Sequence, residues 1–173
     1  MSNAVAERPA VKTPWIKNLG DVPAHLTYER RSMYRAVEEI AEKYPNHIAY
    51  IFMGKKTTYR TLIQEIHVCA RAFKSIGIRP GDKVTLAMPN CPQTVVAFYA
   101  LNLVGAIANM IHPLSSEKEI EFYLKASGSI SAITLDQFYH KFEAIGQDVD
   151  LDNIIMASTK QALAQPIKAG YML

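Results

Sequence analysis

Only two cysteines occur in 173 residues, Cys69 and Cys91. Two thiols make neither a disulfide framework nor a metal motif, and they fit a reducing cytoplasm. The eight glycines are scattered singly, and neither GxGxxG nor GxxxxGKS/T is present. Cradling a phosphate needs a loop whose backbone amides approach the anion, so this chain is not expected to hold one. No apolar run approaches the roughly 18 residues of a membrane span, so no transmembrane segment is expected. The 19 basic and 16 acidic residues are well mixed and leave a net charge of +3. Without a basic block or stripe, nucleic-acid binding is not indicated. The start, Met1-Ser2-Asn3-Ala4-Val5-Ala6-Glu7-Arg8-Pro9, lacks the basic opening and apolar stretch of a signal peptide. The histidines are His25, His47, His67, His112 and His140. No two have i, i+3 or i, i+4 spacing, which disfavours a metal site borne on one helix.

What is present is a foldable chain. Hydrophobic residues make up 49% and charged residues 20%, enough for a packed core. Residues 1–31 contain Pro9, Pro14 and Pro23 without periodicity, and read as an extended arm. Trp15, the single tryptophan, is expected to be partly buried and to pin that arm to the body. Residues 32–173 read as the body. Met33, Val37, Ile40, Ala41 and Tyr44 recur at helical spacing, and Pro45-Asn46 stops that helix. Ile48 to Met53 is β-type, Gly54-Lys55-Lys56 reads as a turn, and Thr57-Thr58-Tyr59 returns as a hairpin. Leu62, Ile66, Cys69, Phe73 and Ile76 mark one face of a long helix that Gly77 ends.

Regular alternation follows. Strands are expected at 83–88, 106–111, 130–134 and 153–157, with helices at 92–104, 116–127 and 136–145. This pattern predicts an α/β fold: a mostly parallel, doubly wound sheet with helices on both faces, beside the small N-terminal hairpin. Ser116-Glu117-Lys118-Glu119 has capping-box spacing. The helix at 92–104 is apolar almost all round and should be buried on several sides. After Ile154-Ile155-Met156-Ala157, residues 158–173 show no clear final element, which reads as a chain cut short.

Few residues invite a chemical role. Gly77, Gly81 and Gly105 read as helix ends and turns rather than ligand positions. Cys91 follows Asn90 at a helix start, where amide dipoles stabilise a thiolate, but no base is placed beside it and it reads as core. Cys69 reads as core by the same argument. Tyr59 begins a helix after Thr57-Thr58, where a hydroxyl suits a capping role. His112 lies just past a predicted strand and before Pro113, at the edge where doubly wound sheets place ligands. Its balance favours a loop histidine bonded to backbone. No catalytic, cofactor-binding or metal-binding residue is assigned.

The run Ile76-Gly77-Ile78-Arg79-Pro80-Gly81-Asp82-Lys83-Val84 through Met88-Pro89-Asn90-Cys91-Pro92-Gln93 to Val104-Gly105-Ala106 resembles the opening of the AMP-forming acyl-CoA ligases, the adenylate-forming superfamily. Pro14-Trp15, Tyr44-Pro45, Ile51-Phe52-Met53-Gly54-Lys55-Lys56-Thr57-Thr58-Tyr59 and Leu135-Asp136-Gln137-Phe138-Tyr139 resemble the bacterial long-chain-fatty-acid–CoA ligases in particular. Gly105-Ala106 through Pro113-Leu114 and Glu119-Ile120 is similar to the family's second core motif. The first core motif, threonine-tyrosine-x-glutamate-leucine, departs here at Thr61. The chain also has His112 and Ser115 where the family commonly has asparagine and an aromatic.

The resemblance, over roughly residues 14–157, implies the incomplete first α/β subdomain of a large adenylation domain. It implies a two-step reaction: a carboxylate attacks the α-phosphate of ATP to give acyl-AMP and pyrophosphate, and coenzyme A then displaces AMP. ATP, Mg2+ and coenzyme A would serve the full-length enzyme, with a fatty acid or other carboxylate as substrate. The phosphate loop and the C-terminal domain with its catalytic lysine would lie beyond Leu173. The chain alone is therefore expected to be inactive, to bind none of these cofactors and to self-associate. Peripheral membrane contact stays open. The alternatives are an aryl- or medium-chain acyl-CoA ligase, or a stand-alone flavodoxin-like binding module.

Overall fold

The computed structural model describes residues 13–163. The described residues fall into two units, one up to Arg30 and one, the body, from Arg31. The first holds a 3-10 turn, Pro14–Asn18, closed by Ile16 N–H on Thr13 O (3.1 Å) and Leu19 N–H on Ile16 O (3.1 Å). Trp15 is 57% exposed. The turn is held by local backbone bonds and buries none of its own residues.

In the body, α1 spans Met33–Lys43, and the Ser32 hydroxyl accepts from Arg35 N–H at its start (3.1 Å). Strands β1, Ile48–Phe52, and β2, Lys55–Thr58, form the expected antiparallel hairpin. Its turn falls at Met53-Gly54, one residue earlier than the sequence reading. Both residues have positive φ (48° and 80°), as a two-residue type I′ connection requires to follow the strand twist. The last residue of β2, Thr58, is also the N-cap of α2, Tyr59–Ser75, its hydroxyl accepting from Thr61 N–H (3.3 Å). The buried row of α2 is Leu62, Ile66, Ala70 and Phe73. Cys69 is only half-buried and Ile76 is exposed, because the 3.6-residue period carries the stripe through Ala70 instead.

The alternation then appears as expected: β3 Lys83–Ala87, α3 Pro92–Val104, β4 Ile107–Met110, α4 Glu117–Ser127, β5 Ser131–Leu135, α5 Tyr139–Ala144 and β6 Asn153–Ala157. The predicted helix at 136–145 divides into a 3-10 turn, Asp136–Phe138, and α5. All four strands run parallel in the order β4-β3-β5-β6. Helices α1 to α3 cover one face. There Leu62, Ile66, Phe73, Leu101 and Val104 pack against Val84, Leu86 and Ile133. Helices α4 and α5 cover the other, where Ile120, Leu124 and Phe142 meet Ala87 and Ala132. Burial on both faces explains why every residue of β5 is buried and why it reads as a continuous apolar and small-polar run.

Helix α3 is the hub of the first face. It packs on α1, on α2 and on the 3-10 turn Thr159–Ala162, which bury Ala97, Ala100, Leu101 and Val104 and leave Val95, Val96, Phe98, Tyr99 and Leu103 half-buried. Its C-terminus needs a glycine. Gly105 has φ 87°, and a Cβ there would sit 3.2 Å from Cβ of Pro80. Gly81 N–H donates to Gly105 O (2.8 Å), clamping the turn before β3 to the turn before β4.

The carboxyl edge of the sheet and its cavity

Strand β3 connects to β4 on one side of itself, and the chain then crosses back to place β5 on the other. The connections therefore diverge between β3 and β5, and the open crevice of such a sheet lies at the carboxyl ends of those strands. A cavity of about 600 Å3 occupies that edge. Three strand exits wall it: Met88, Pro89 and Asn90 after β3; Met110 to Leu114 at β4; Gln137 and Phe138 after β5.

Each exit is fixed by its own sequence. After β3, Pro89 ends the ladder and its carbonyl accepts from the Thr94 hydroxyl (2.6 Å). Cys91, the N-cap of α3, is 4% exposed, and its Sγ lies 3.2 Å from the Thr94 Oγ1. Cys91 is thus packed in the core and engaged with Thr94. After β4, Ile111 N–H extends the ladder to Leu86 O (3.1 Å). A turn follows in which Ser115 N–H donates to His112 O (3.2 Å) and Leu114 N–H donates to Nδ1 of His112 (3.2 Å). This is the backbone-bonded loop histidine of the sequence reading, and it stands at the wall of the cavity. The capping box then starts α4: Ser116 N–H and Oγ–H both donate to Glu119 Oε2 (2.7 and 2.9 Å), and Glu119 N–H donates to Ser116 Oγ (3.4 Å). These bonds from Ser116 hold the Glu119 carboxyl below its ordinary range. After β5, Asp136 Oδ1 accepts from Gln137 N–H (2.9 Å) and turns the chain toward α5.

Chemically, the walls are apolar at Met88, Met110, Ile111, Pro113, Leu114 and Phe138, with Asn90, His112 and Gln137 as polar points. Among the described residues, no carboxylate or ammonium lines the cavity. Because Nδ1 of His112 accepts a backbone N–H, the neutral ring carries its proton on Nε2 and acts as a donor. The cavity suits a small amphipathic molecule bearing acceptor oxygens rather than a nucleophile–base pair. Among the described residues, no group of three or more His, Cys, Asp or Glu is placed to hold a metal.

A second cavity of about 310 Å3 lies beneath the hairpin, lined by Tyr50, Glu65, Cys69, Phe73, Gln93 and Ile155 among others. Burial pushes the Cys69 thiol up to about 11, so it stays protonated and inert. Gly77 (φ 95°) and Gly81 (φ 88°) serve turns, as expected. Two groups carry little or no sequence signal. Lys141 reaches from α5 to the β4–α4 loop, its Nζ donating to Ser115 O (2.7 Å). Tyr34 of α1 meets His67 of α2, far apart in the chain. Only the i, i+4 spacing of Tyr34 and Glu38 was available to hint at part of that cluster.

A family model described as "AMP-binding enzyme" matches residues 37–169. The long-chain-fatty-acid–CoA ligase of Bacillus subtilis (strain 168) is 29% identical over 161 residues, 92% of this chain and 29% of that protein. Among solved structures, the N-terminal domain of FACL13 from Mycobacterium tuberculosis superimposes with a TM-score of 0.69 at 26% identity, covering 73% of this chain and 34% of that one. A long-chain-fatty-acid-CoA ligase from Archaeoglobus fulgidus gives a TM-score of 0.72 over 76% of this chain and 28% of that one. At 21% identity, that likeness concerns the fold alone. The chain spans less than a third of the length of the curated relative from Bacillus subtilis.

Proposed function

The chain belongs to the AMP-binding enzyme family, and from that premise we propose that it is the N-terminal part of an ATP-dependent ligase. The whole protein activates a fatty acid as acyl-AMP and passes the acyl group to coenzyme A. The observation that carries this reading is the similarity of 92% of the chain to the Bacillus subtilis long-chain-fatty-acid–CoA ligase. The same relative supports a long-chain acid as substrate. The cysteine usage supports action in the cytoplasm as part of this reading.

The residues described do not fit the nucleotide and its metal. They offer no metal-ligand cluster, and the sequence has no glycine-rich loop for a triphosphate. ATP, Mg2+ and coenzyme A are therefore assigned to the remainder of the protein. Within this reading, residues 31–163 contribute a rigid doubly wound layer whose carboxyl edge presents one cavity wall to the reaction.

Acid-dependent ATP–pyrophosphate exchange tests the proposal. The full-length protein is expected to exchange fastest with long-chain acids, and residues 1–173 alone to exchange with none. No exchange by the full-length protein with any acid overturns the ligase reading. Faster exchange with aryl or medium-chain acids overturns only the chain length. Fatty-acid-dependent exchange by residues 1–173 overturns the assignment of the chemistry to the remainder.

A further inference from the structure

We propose that Lys141 is a positioning residue, joining two of the three loops around the carboxyl-edge cavity and thereby fixing the His112 proton on Nε2. The inference rests on the reading of that cavity as the ligand end of the sheet, but its test needs no activity.

The base of the device is rigid. Lys141 stands on α5 beside Phe142, which is fully buried with Ile120 and Leu124 of α4. From there its Nζ donates to Ser115 O (2.7 Å) and lies 5.8 Å from the centre of the Phe138 ring. Phe138 lines the cavity on the β5 side, and Ser115 closes the turn that His112 opens on the β4 side. One ammonium thus bonds a backbone carbonyl of one loop and rests on an aromatic face of the other.

The consequence falls on the imidazole. With the Ser115 carbonyl held, the 112–115 turn stays closed, and Leu114 N–H is kept on Nδ1 of His112 (3.2 Å). A backbone N–H only donates, so Nδ1 is the bare nitrogen and Nε2 carries the proton. The cavity wall then presents a hydrogen-bond donor suited to an acceptor oxygen, such as that of a carboxylate. If the turn opens, the ring is free to exchange tautomers and the donor is no longer defined.

The test is an imidazole 15N spectrum of the full chain at about pH 8, above the ordinary histidine range. The wild type is expected to show His112 as a single Nε2–H tautomer. Lys141→Met is expected to move both nitrogens toward the exchange average, and Lys141→Arg to restore the wild-type pattern. A rescue by arginine separates placement of the cation from simple packing. Unchanged His112 shifts in a folded Lys141→Met protein overturn the proposal. Should that variant fail to fold, amide exchange in the wild type decides. Leu114 N–H is expected to exchange roughly tenfold or more slower than an open loop, as a held hydrogen bond gives. Exchange at the open-loop rate overturns the proposal equally.

Discussion

The Tyr34 hydroxyl lies 2.7 Å from Nε2 of His67, bridging α1 to α2, and at the same distance from Oε1 of Glu38, to which it donates. Its oxygen is then left to accept, so His67 carries its proton on Nε2. Tyr34 is 4% exposed, and its own backbone N–H donates to Asn102 Oδ1 of α3 (2.8 Å). One residue therefore ties three helices together with polar bonds inside an apolar layer. Tyr34→Phe is expected to cost about 1–3 kcal/mol, because Glu38 loses a donor and His67 an acceptor. A urea melt of the body measures it, and an unchanged midpoint contradicts it.

The same bond has a pH signature. The Tyr34 hydroxyl, followed by Arg35, holds the Glu38 carboxyl below its ordinary range despite partial burial. A carboxyl depressed in the folded state stabilises above its unfolded pKa and loses that contribution as pH falls through the folded value. Wild-type stability is thus expected to decline on acidification through and below the ordinary glutamate range. Tyr34→Phe should show a shallower decline there. Parallel pH–stability curves for the two proteins contradict this.

Gly105→Ala combines two penalties. The residue adopts a left-handed backbone (φ 87°), and the added Cβ meets Pro80 at 3.2 Å. A loss of about 1–2 kcal/mol is expected, read as a lower midpoint in thermal or urea unfolding. Gly54→Ala has the strained φ but open space around it, so it should cost less than Gly105→Ala.

Phe142→Ala empties the centre of the second face, where the ring is 0% exposed. The expected cost is about 3–5 kcal/mol, measured by chemical denaturation. A smaller variant effect, near that of a surface substitution, indicates that α5 is not anchored as described.

Residues 1–173 alone are expected to self-associate. Strands β4 and β6 are the two edges of the sheet, and each carries an exposed methionine, Met110 at 50% and Met156 at 57%. Ile51 and Met53 of the hairpin are exposed as well. Open edges with apolar side chains template further pairing. Light scattering across a concentration series tests this, and a monodisperse monomer that binds no hydrophobic dye refutes it. Helix α3, packed on α1 and α2, contributes no fully exposed residue to that surface.

Much of this architecture was legible because each boundary has a local chemical cause. Pro45, Gly77, Pro89 and Gly105 stop elements through φ or a missing donor, and Ser116 starts a helix through its capping box, whereas the caps at Ser32 and Thr58 appear only in the structure. The misplaced hairpin turn had a different origin. Met53 at positive φ is imposed by the pairing of Phe52 with Lys55, which only the folded hairpin reveals. His112 was found as a position, from its place after a strand. Its tautomer and its link to Lys141 were not, because they depend on β4 and β5 being brought to the same edge across β3 by pairing distant in sequence.

The strand order has a consequence for synthesis on the ribosome. β3 emerges early, and β4 takes one of its edges. Its other edge belongs to β5, which is made only after α4 has been translated. Throughout that interval the nascent chain carries a strand with one unpaired edge, whose residues Val84 to Ala87 are all buried in the finished fold. Non-local parallel pairing of this kind closes slowly, and an unpaired apolar edge invites wrong partners. Translation speed between residues 111 and 131 therefore sets how long β3 waits, and chaperone demand should follow that pause rather than the stability of the finished sheet.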